Sequence, residues 1–181
     1  MNKQICAMAC GLLVFSLATV RADADGERRS APVQNKTYQE TCSVCHMVYF
    51  PGMLPAQSWE KILTNMKTHN GEEVALDAKI QAEILAYLKK NAADQSGSGL
   101  SGRIMRSLKD ATPTRITEVP MIKRKHSELS GAIFQRKEIG SHSNCIACHA
   151  KAGQGEFSED TVRIPGGGAR KHEGAREREK D

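Results

Sequence analysis

The chain has 181 residues, enough for one domain or two small ones, with 26 Lys and Arg residues against 21 Asp and Glu residues. The formal net charge of +5 is uninformative by itself. Aromatic residues make up 4% of the chain, which is little material for a core, because small domains struggle to bury enough apolar surface. The composition therefore indicates a core that needs a further apolar component.

The first 22 residues have the layout of a secretory signal peptide. Lys3 supplies the positive charge, an apolar run covers residues 5–20, and the small residues Ala22 and Ala24 follow as cleavage positions. A retained membrane anchor is the alternative, but the run is short for a spanning helix, which needs about 20 apolar residues. We therefore expect residues 1–22 to be removed on export.

Two copies of the pattern C-x-x-C-H, at residues 42–46 and 145–149, dominate the remaining chain. This pattern attaches a c-type haem: the thiols form thioethers with the vinyl groups, and the adjacent His ligates the iron. Two intervening residues let both sulfurs reach one porphyrin edge. We expect two covalently bound haem c groups, and they would supply the missing apolar mass. Loss of Lys3 and Arg21 with the leader leaves 24 basic against 21 acidic residues, a net charge of +3, and the four haem propionates would bring it near neutral. This balance argues against a nucleic-acid-binding protein. The predicted attachment residues are Cys42, Cys45, Cys145 and Cys148, with His46 and His149 as axial ligands.

Cysteine usage agrees with export. All cysteines beyond the leader lie in the two motifs, so no disulfide framework remains. Because c-type haem is attached on the outer side of the bacterial membrane, we predict a periplasmic protein. A shared zinc site is disfavoured because about a hundred residues separate the two pairs. A thiol oxidoreductase would not explain the His that follows each pair.

The predicted fold is mostly α-helical, with a small N-terminal helical domain like a monohaem cytochrome c and an irregular, extended C-terminal haem-binding segment. Composition places a glycine- and serine-rich linker between the two parts. A mixed-charge tail follows the second part and is predicted to be disordered. The predicted division is a signal peptide at 1–22, a flexible lead-in at 23–36, the N-terminal haem domain at 37–94, the linker at 95–102, the C-terminal haem segment at 103–165 and the tail at 166–181.

Helices are predicted from apolar periodicity and capping residues. One begins near Tyr38 and runs into the first motif; the next is capped by Ser58 and ends at Asn70-Gly71. Asp77 caps a third helix, which closes at Asn91. In the second part, Pro120 is predicted to start a helix, on which one face carries Ile122, His126, Leu129 and Ile133.

The first haem needs a residue for the sixth iron position, and His69 is the candidate. It lies 23 residues after His46, far enough to return on the other face of the ring, and it follows an apolar helix. A histidine on the surface at a helix C-terminus is one alternative. A methionine ligand is another: Met53 lies in a suitable loop but close to His46, and Met66 fits better on the apolar helix face.

For the second haem the candidate is His126, which lies 23 residues before His149 on a predicted apolar face. The alternative is a solvated histidine beside the basic run at 123–125. His142 is too close to the attachment loop to cross the ring easily, and His172 lies in the charged tail.

Two imidazoles on each iron would leave no position for O₂ or peroxide, and a thioether ligand would raise the potential relative to imidazole. The prediction is therefore an electron carrier rather than an enzyme. The alternative is a haem enzyme, or a gas or redox sensor, with a labile distal ligand on one haem. The basic run at 123–125 is a weaker candidate for docking an acidic redox partner.

Several short stretches accompany the haem motifs between about Tyr38 and Pro165. They are Tyr49–Ala56 with Ser58-Trp59, Leu76-Asp77, Thr112-Pro113, Arg115–Glu118 with Pro120, and Val162–Pro165. Together with the two C-x-x-C-H motifs, these stretches make the chain similar to the bacterial dihaem cytochrome c family. Met121-Ile122 depart from the family pattern, which has aromatic residues there.

This resemblance implies bis-histidine ligation, with His69 and His126 at the positions of the distal ligands. It also implies a role in passing electrons to a small monohaem cytochrome that binds oxygen, with a membrane b-type cytochrome as the donor. No small-molecule substrate is expected.

Overall fold

A computed structural model describes residues 29–97 and 99–167. Within these residues the chain is mostly helical and contains no β-strand, only three isolated antiparallel bridges. The predicted helical fold class is thus confirmed. The signal peptide and nearly all of the charged tail lie outside the described residues. The helices are α1 (Lys36–Cys42), α2 (Ala56–Thr64), α3 (Ala78–Lys90), α4 (Gly99–Leu108), α5 (Pro120–Lys125) and α6 (Gly131–Phe134).

The centre of the core is formed by α2 packed on α3. Trp59 and Leu63 of α2 and Ile84 and Leu88 of α3 are all buried, as expected when apolar residues recur every three or four positions on a helix face. The indole N–H of Trp59 donates to the carbonyl of Pro51 over 2.8 Å, so the buried aromatic ring keeps its hydrogen bond. This pair of helices supports the loop that follows the first C-x-x-C-H motif.

Two details of this region differ from the sequence prediction. Helix α2 begins at Ala56 with Pro55 at its N-cap position, and the Ser58 side chain is buried inside the helix rather than capping it. The same helix ends at Thr64, and a short 3₁₀ turn at Met66–Thr68 then leads to Asn70-Gly71. The carbonyl of Pro55 accepts the backbone N–H groups of Ser58 and Trp59 over 2.9 and 3.2 Å, so the helix begins without a side-chain cap.

The flexible linker predicted at residues 95–102 is wrong for residues 99–102, which form the first turn of α4. Leu100 and Gly102 are buried, and the Ser101 hydroxyl donates to the carbonyl of Gly52 over 3.0 Å. The small side chains that resemble a linker in composition therefore let this helix approach the Pro51–Met53 turn closely.

The buried core continues across the predicted boundary between the two haem parts. Ile116, Val119 and Met121 belong to the same cluster as Leu54 and Trp59. Helix α5 begins at Pro120 as predicted and ends at Lys125, with His126 as its C-cap residue. The apolar face predicted from residue 122 to residue 133 is therefore interrupted after one and a half turns.

The end of the predicted flexible lead-in is packed against the rest of the molecule. The guanidinium of Arg29 pairs with the Glu156 carboxylate at 3.1 Å, and the backbone N–H of Ser30 donates to the carbonyl of Gly155. The backbone N–H of Gln34 donates to the hydroxyl of Tyr87 over 2.9 Å. Among the described residues, no helix is long and apolar enough to cross a membrane.

Candidate haem sites

The first motif starts on α1, which places Cys42 at its last residue. Asn35 caps the helix by accepting the backbone N–H of Tyr38 at 2.6 Å. The Tyr38 side chain is buried, and its hydroxyl donates to the carbonyl of Tyr49 over 2.7 Å. The attachment loop is thus held between a capped helix and the strand-like segment that follows His46.

The His46 ring has a defined orientation and tautomer. Its Nδ1 lies 2.7 Å from the carbonyl oxygen of Met47. Because that oxygen can only accept, Nδ1 carries the proton, and the lone pair of Nε2 is available to a metal. This is the arrangement that an imidazole ligand requires.

His69 faces His46, with 6.2 Å between the ring centroids and 34° between the ring planes. It follows the 3₁₀ turn at Met66–Thr68, and the chain reverses directly afterwards at Asn70 and Gly71, both of which have positive φ. Burial, with a smaller effect of His46, lowers the pKa of His69. The imidazole is therefore kept in the neutral form that binds metals.

The second motif begins with a 3₁₀ turn at Cys145–Ala147. The backbone N–H of His149 donates to the carbonyl of Cys145 over 2.8 Å, and the N–H of Arg163 donates to the carbonyl of Cys148 over 2.9 Å. An antiparallel bridge joins His149 to Val162. The later segment around Val162 therefore fixes the backbone of the second motif from outside.

His126 and His149 form the second pair, with ring centroids 6.0 Å apart and ring planes at 65°. The Nδ1 of His126 lies 2.8 Å from the carbonyl oxygen of Ile122. As at His46, a backbone carbonyl fixes the tautomer and leaves Nε2 available. Burial, and secondarily His126, lowers the pKa of His149, which also favours its neutral form.

The donor sets fit two bis-histidine haem irons. With metal–nitrogen bonds of about 2 Å, and about 1.1 Å from each nitrogen to its ring centroid, two imidazoles on opposite sides of an iron have centroids about 6 Å apart. The observed separations of 6.2 and 6.0 Å match that value. The four thiols are free, and burial raises the pKa of Cys42 to about 11. The thiols are thus unpaired, as thioether formation requires.

Comparison with known proteins agrees with this geometry. The family model for dihaem cytochrome c matches residues 38–157. The chain belongs to the dihaem cytochrome c family. It is similar to the diheme cytochrome c from Rhodobacter sphaeroides, with 40% identity, a TM-score of 0.61, and coverage of 69% of this chain and 98% of that chain. It is also similar to the diheme cytochrome from Shewanella baltica OS155, with 34% identity, a TM-score of 0.60, and coverage of 75% and 96%. None of the curated proteins compared with the chain matches it.

As a dihaem cytochrome c, the protein carries two covalently bound haem c groups and is an electron-transfer protein. The two methionines considered as alternative ligands of the first iron have other places in the packing of this cytochrome. Met53 is a buried member of the hydrophobic core, and Met66 packs against that core, as the helix pattern predicts for Met66. The geometry therefore favours His69 over either methionine as the partner of His46.

Sequence reasoning set aside one histidine that lies at the second site of this dihaem cytochrome c. The His142 ring is 5.5 Å from the His126 ring and 4.2 Å from the Phe134 ring. Its Nε2 is buried and has no hydrogen-bond partner among the described residues. Its place in the sequence, three residues before Cys145, was the only available signal of this proximity.

Sequence reasoning also missed the role of Tyr49 as a contact between the two sites. The Tyr49 ring lies 4.9 Å from the His46 ring, and its hydroxyl donates to the carbonyl of Ser143 over 2.9 Å. Burial, with a smaller effect of Cys145, raises the pKa of Tyr49 to about 12, so the phenol remains protonated and can donate this bond.

Proposed function

We propose that this dihaem cytochrome c is a periplasmic electron carrier with two bis-histidine haems. Cys42 and Cys45 attach the first haem, whose iron is ligated by His46 and His69. The second haem is attached and ligated by Cys145, Cys148, His126 and His149. The observation that carries the proposal is the presence of two facing imidazole pairs at separations of 6.2 and 6.0 Å, each next to a C-x-x-C pair.

Each haem supplies an iron that takes up and gives up one electron. The side chains of this protein hold the haems and orient the iron ligands, and they do not take part in bond-making chemistry. The carbonyls of Met47 and Ile122 fix the rings of His46 and His126, and low pKa values at His69 and His149 keep those imidazoles neutral. Two such ligands per iron leave no site for O₂ or peroxide, which suits electron relay better than catalysis.

The proposed route runs from a membrane b-type cytochrome to a small soluble haem protein. The support is the predicted signal peptide, the free thiols and the family resemblance. A cationic surface at the end of α5 also supports contact with an acidic partner: Lys123 and Arg124 are exposed there, directly before His126. Lys125 in the same turn is paired with Glu159, so within the described part of the chain the unpaired positive charge of this turn lies on Lys123 and Arg124.

A redox titration followed by electron paramagnetic resonance tests the ligand assignment. We expect two low-spin haems, with no CO binding to the reduced protein at neutral pH. A five-coordinate high-spin haem, or CO binding, would instead indicate a haem enzyme or sensor with a labile distal ligand. A far-red methionine–iron band in the oxidised protein would contradict the bis-histidine assignment for at least one haem.

A pair of variants makes this test specific to the first haem. His69→Met should create the far-red band and raise the potential of one haem, because a thioether ligand favours the reduced iron relative to imidazole. Met53→Leu conserves volume in the core and should leave the spectrum unchanged. If Met53→Leu alone abolished a low-spin signal, Met53 rather than His69 would be the ligand.

A further inference from the structure

The two haem motifs are joined by a direct contact made by Tyr49. Its ring lies 4.9 Å from the His46 ring, tilted by 31°. Its hydroxyl donates over 2.9 Å to the carbonyl of Ser143, two residues before Cys145. One side chain therefore touches the axial ligand of the first haem and the attachment loop of the second, across 94 positions of the chain.

Tyr49 is held firmly from its own backbone. Its carbonyl accepts the hydroxyl of Tyr38 over 2.7 Å, and Tyr38 is buried in the core. The loop that Tyr49 contacts is held from its other side, because the Asn144 amide donates to the carbonyl of Ile139 over 2.9 Å. The hydroxyl of Tyr49 thus connects two supported elements rather than two free loops.

Phe50, the residue after Tyr49, makes a second connection toward the second haem motif. The Phe50 ring packs edge-on against Phe157, with centroids 6.2 Å apart. Phe157 in turn lies 5.7 Å from the His149 ring. Consecutive residues of one loop therefore reach the attachment loop of the second haem and, through Phe157, its proximal ligand. Of the two connections, only that of Tyr49 includes a hydrogen bond.

We propose that Tyr49 is a positioning residue that sets the spacing of the two haem sites and thereby the rate of electron exchange between them. This inference rests on the proposed function as a dihaem carrier. In the exchange, one electron leaves a ferrous iron at one site and reduces a ferric iron at the other, with no bond made and no proton transferred. Electronic coupling decreases steeply with the gap between redox centres, so a side chain that fixes the gap controls the rate.

The variant Tyr49→Phe removes the hydroxyl and keeps the ring against His46. Small displacements between reacting centres change rates by one to two orders of magnitude, so we expect inter-haem exchange to slow about tenfold. The rate is measured by photoreduction of the partly oxidised holoprotein and optical detection of electron redistribution. The matched control is Tyr87→Phe. This variant also removes one tyrosine hydroxyl, which accepts a hydrogen bond from the backbone N–H of the distant residue Gln34.

The outcomes separate this inference from the proposed function. Two low-spin haems in the unmodified protein, with slow exchange in Tyr49→Phe alone and unchanged low-spin spectra, support the positioning role. An exchange rate in Tyr49→Phe equal to that of the unmodified protein overturns it. Equal slowing in both variants also overturns it, because the effect would then be general loosening. If the unmodified protein lacked two low-spin haems, the proposed function itself would fail.

A second measurement keeps the test decisive if Tyr49→Phe gives no dihaem protein. The chain has three tyrosines, so 3-fluorotyrosine labelling gives three fluorine resonances, of which Tyr38→Phe and Tyr87→Phe assign two. The remaining resonance, from Tyr49, should shift in two steps as the two irons are reduced in turn. A Tyr49 resonance that responds to only one of the two reductions would contradict its place between the sites.

Discussion

Two of the four proposed axial histidines are oriented by the backbone immediately beside them. His46 bonds to the carbonyl of the next residue, and His126 bonds to the carbonyl one helical turn before it. Local backbone geometry therefore decides which nitrogen would face the iron in the proposed ligation. His149 differs, because its Nδ1 is buried without a hydrogen-bond partner among the described residues, so packing against Phe157 and His126 must hold this ring instead.

The second site offers a choice between two histidines, and single variants can decide it. In His126→Ala we expect one of the two low-spin signals to be lost, because the ring that faces His149 is removed. In the matched variant His142→Ala we expect both signals to remain, since His142 packs beside His126 and on Phe134. Electron paramagnetic resonance of the oxidised proteins gives the result. Loss of a low-spin signal in His142→Ala would assign the ligand to His142 instead.

Some of the site could be predicted from sequence because its chemistry is local. The C-x-x-C-H spacing predicts the attachment residues, and the apolar helix before His69 indicated the first histidine pair. The contact between Tyr49 and Ser143 has no local signature, since it depends on the path of the intervening 94 positions. His142 had only its position three residues before Cys145 as a signal, and its contact with His126 depends on the path of the chain between them.

Helix α4 shows how composition misled the prediction at the scale of an element. Its glycines and serines are typical of a flexible linker, but here they serve close packing. A side chain at Gly52 would collide with the Ser101 hydroxyl, and one at Gly102 would lie 2.7 Å from the carbonyl of Gly97. Small residues required by close approach cannot be distinguished by composition from small residues that give flexibility.

Helix α3 provides a test of predicted capping. Asp77 accepts the backbone N–H groups of Lys79 at 2.8 Å and Ile80 at 3.2 Å. Asp77→Ala should lower the free energy of unfolding by about 1 kcal/mol, the usual value of an N-cap side chain. Asp77→Asn keeps an acceptor and should cost less. Urea unfolding followed by helical circular dichroism makes the comparison, and equal losses in both variants would contradict a capping role.

The contact between α2 and α3 should dominate the stability of the first part of the chain. Leu88 is fully buried, whereas Leu85 on the same helix is only partly buried. Leu88→Ala should therefore lower the free energy of unfolding by about 2–5 kcal/mol, and Leu85→Ala by clearly less. Both variants remove the same atoms, so urea titration isolates the effect of burial. A similar loss in both would show that α3 does not bury this face.

At the scale of the whole molecule, the chain closes on itself near both ends of its described part. Arg29 and Ser30 bond to Glu156 and Gly155, and Gly155 also lies against the Phe50 ring. The division into separate haem domains stays a prediction, but one buried cluster includes residues from both proposed parts. Sequence periodicity cannot reveal such a shared core, because it reports which faces are apolar and not what covers them.

A substitution at Gly155 tests the contact between the two ends of the described chain. The φ of this glycine is +77°, and a Cβ there would lie 2.8 Å from the Ser30 carbonyl oxygen and 3.3 Å from the Phe50 ring. Gly155→Ala should therefore destabilise the protein by about 1–3 kcal/mol and make residues 29–35 easier to cleave. Gly153→Ala is the control, since a Cβ at Gly153 meets nothing within 4 Å. Thermal unfolding and limited proteolysis measure both effects, and equal behaviour of the two variants would count against the closure.

The position of the shared core along the chain has a consequence for maturation. The last buried member of the cluster along the chain is Met121, which comes long after the first motif and well before the second. A chain that is exported N-terminus first would therefore present Cys42 and Cys45, the proposed attachment residues of the first haem, while its core is still incomplete. When Cys145 and Cys148 follow, every buried member of this cluster has already been made, and among the buried apolar residues of the described chain only Ala152 is still to come. The two proposed attachment reactions thus act on different states of the chain. The first acts on a chain whose core cluster is incomplete. The second acts on a loop attached to a cluster whose residues are all present and able to pack.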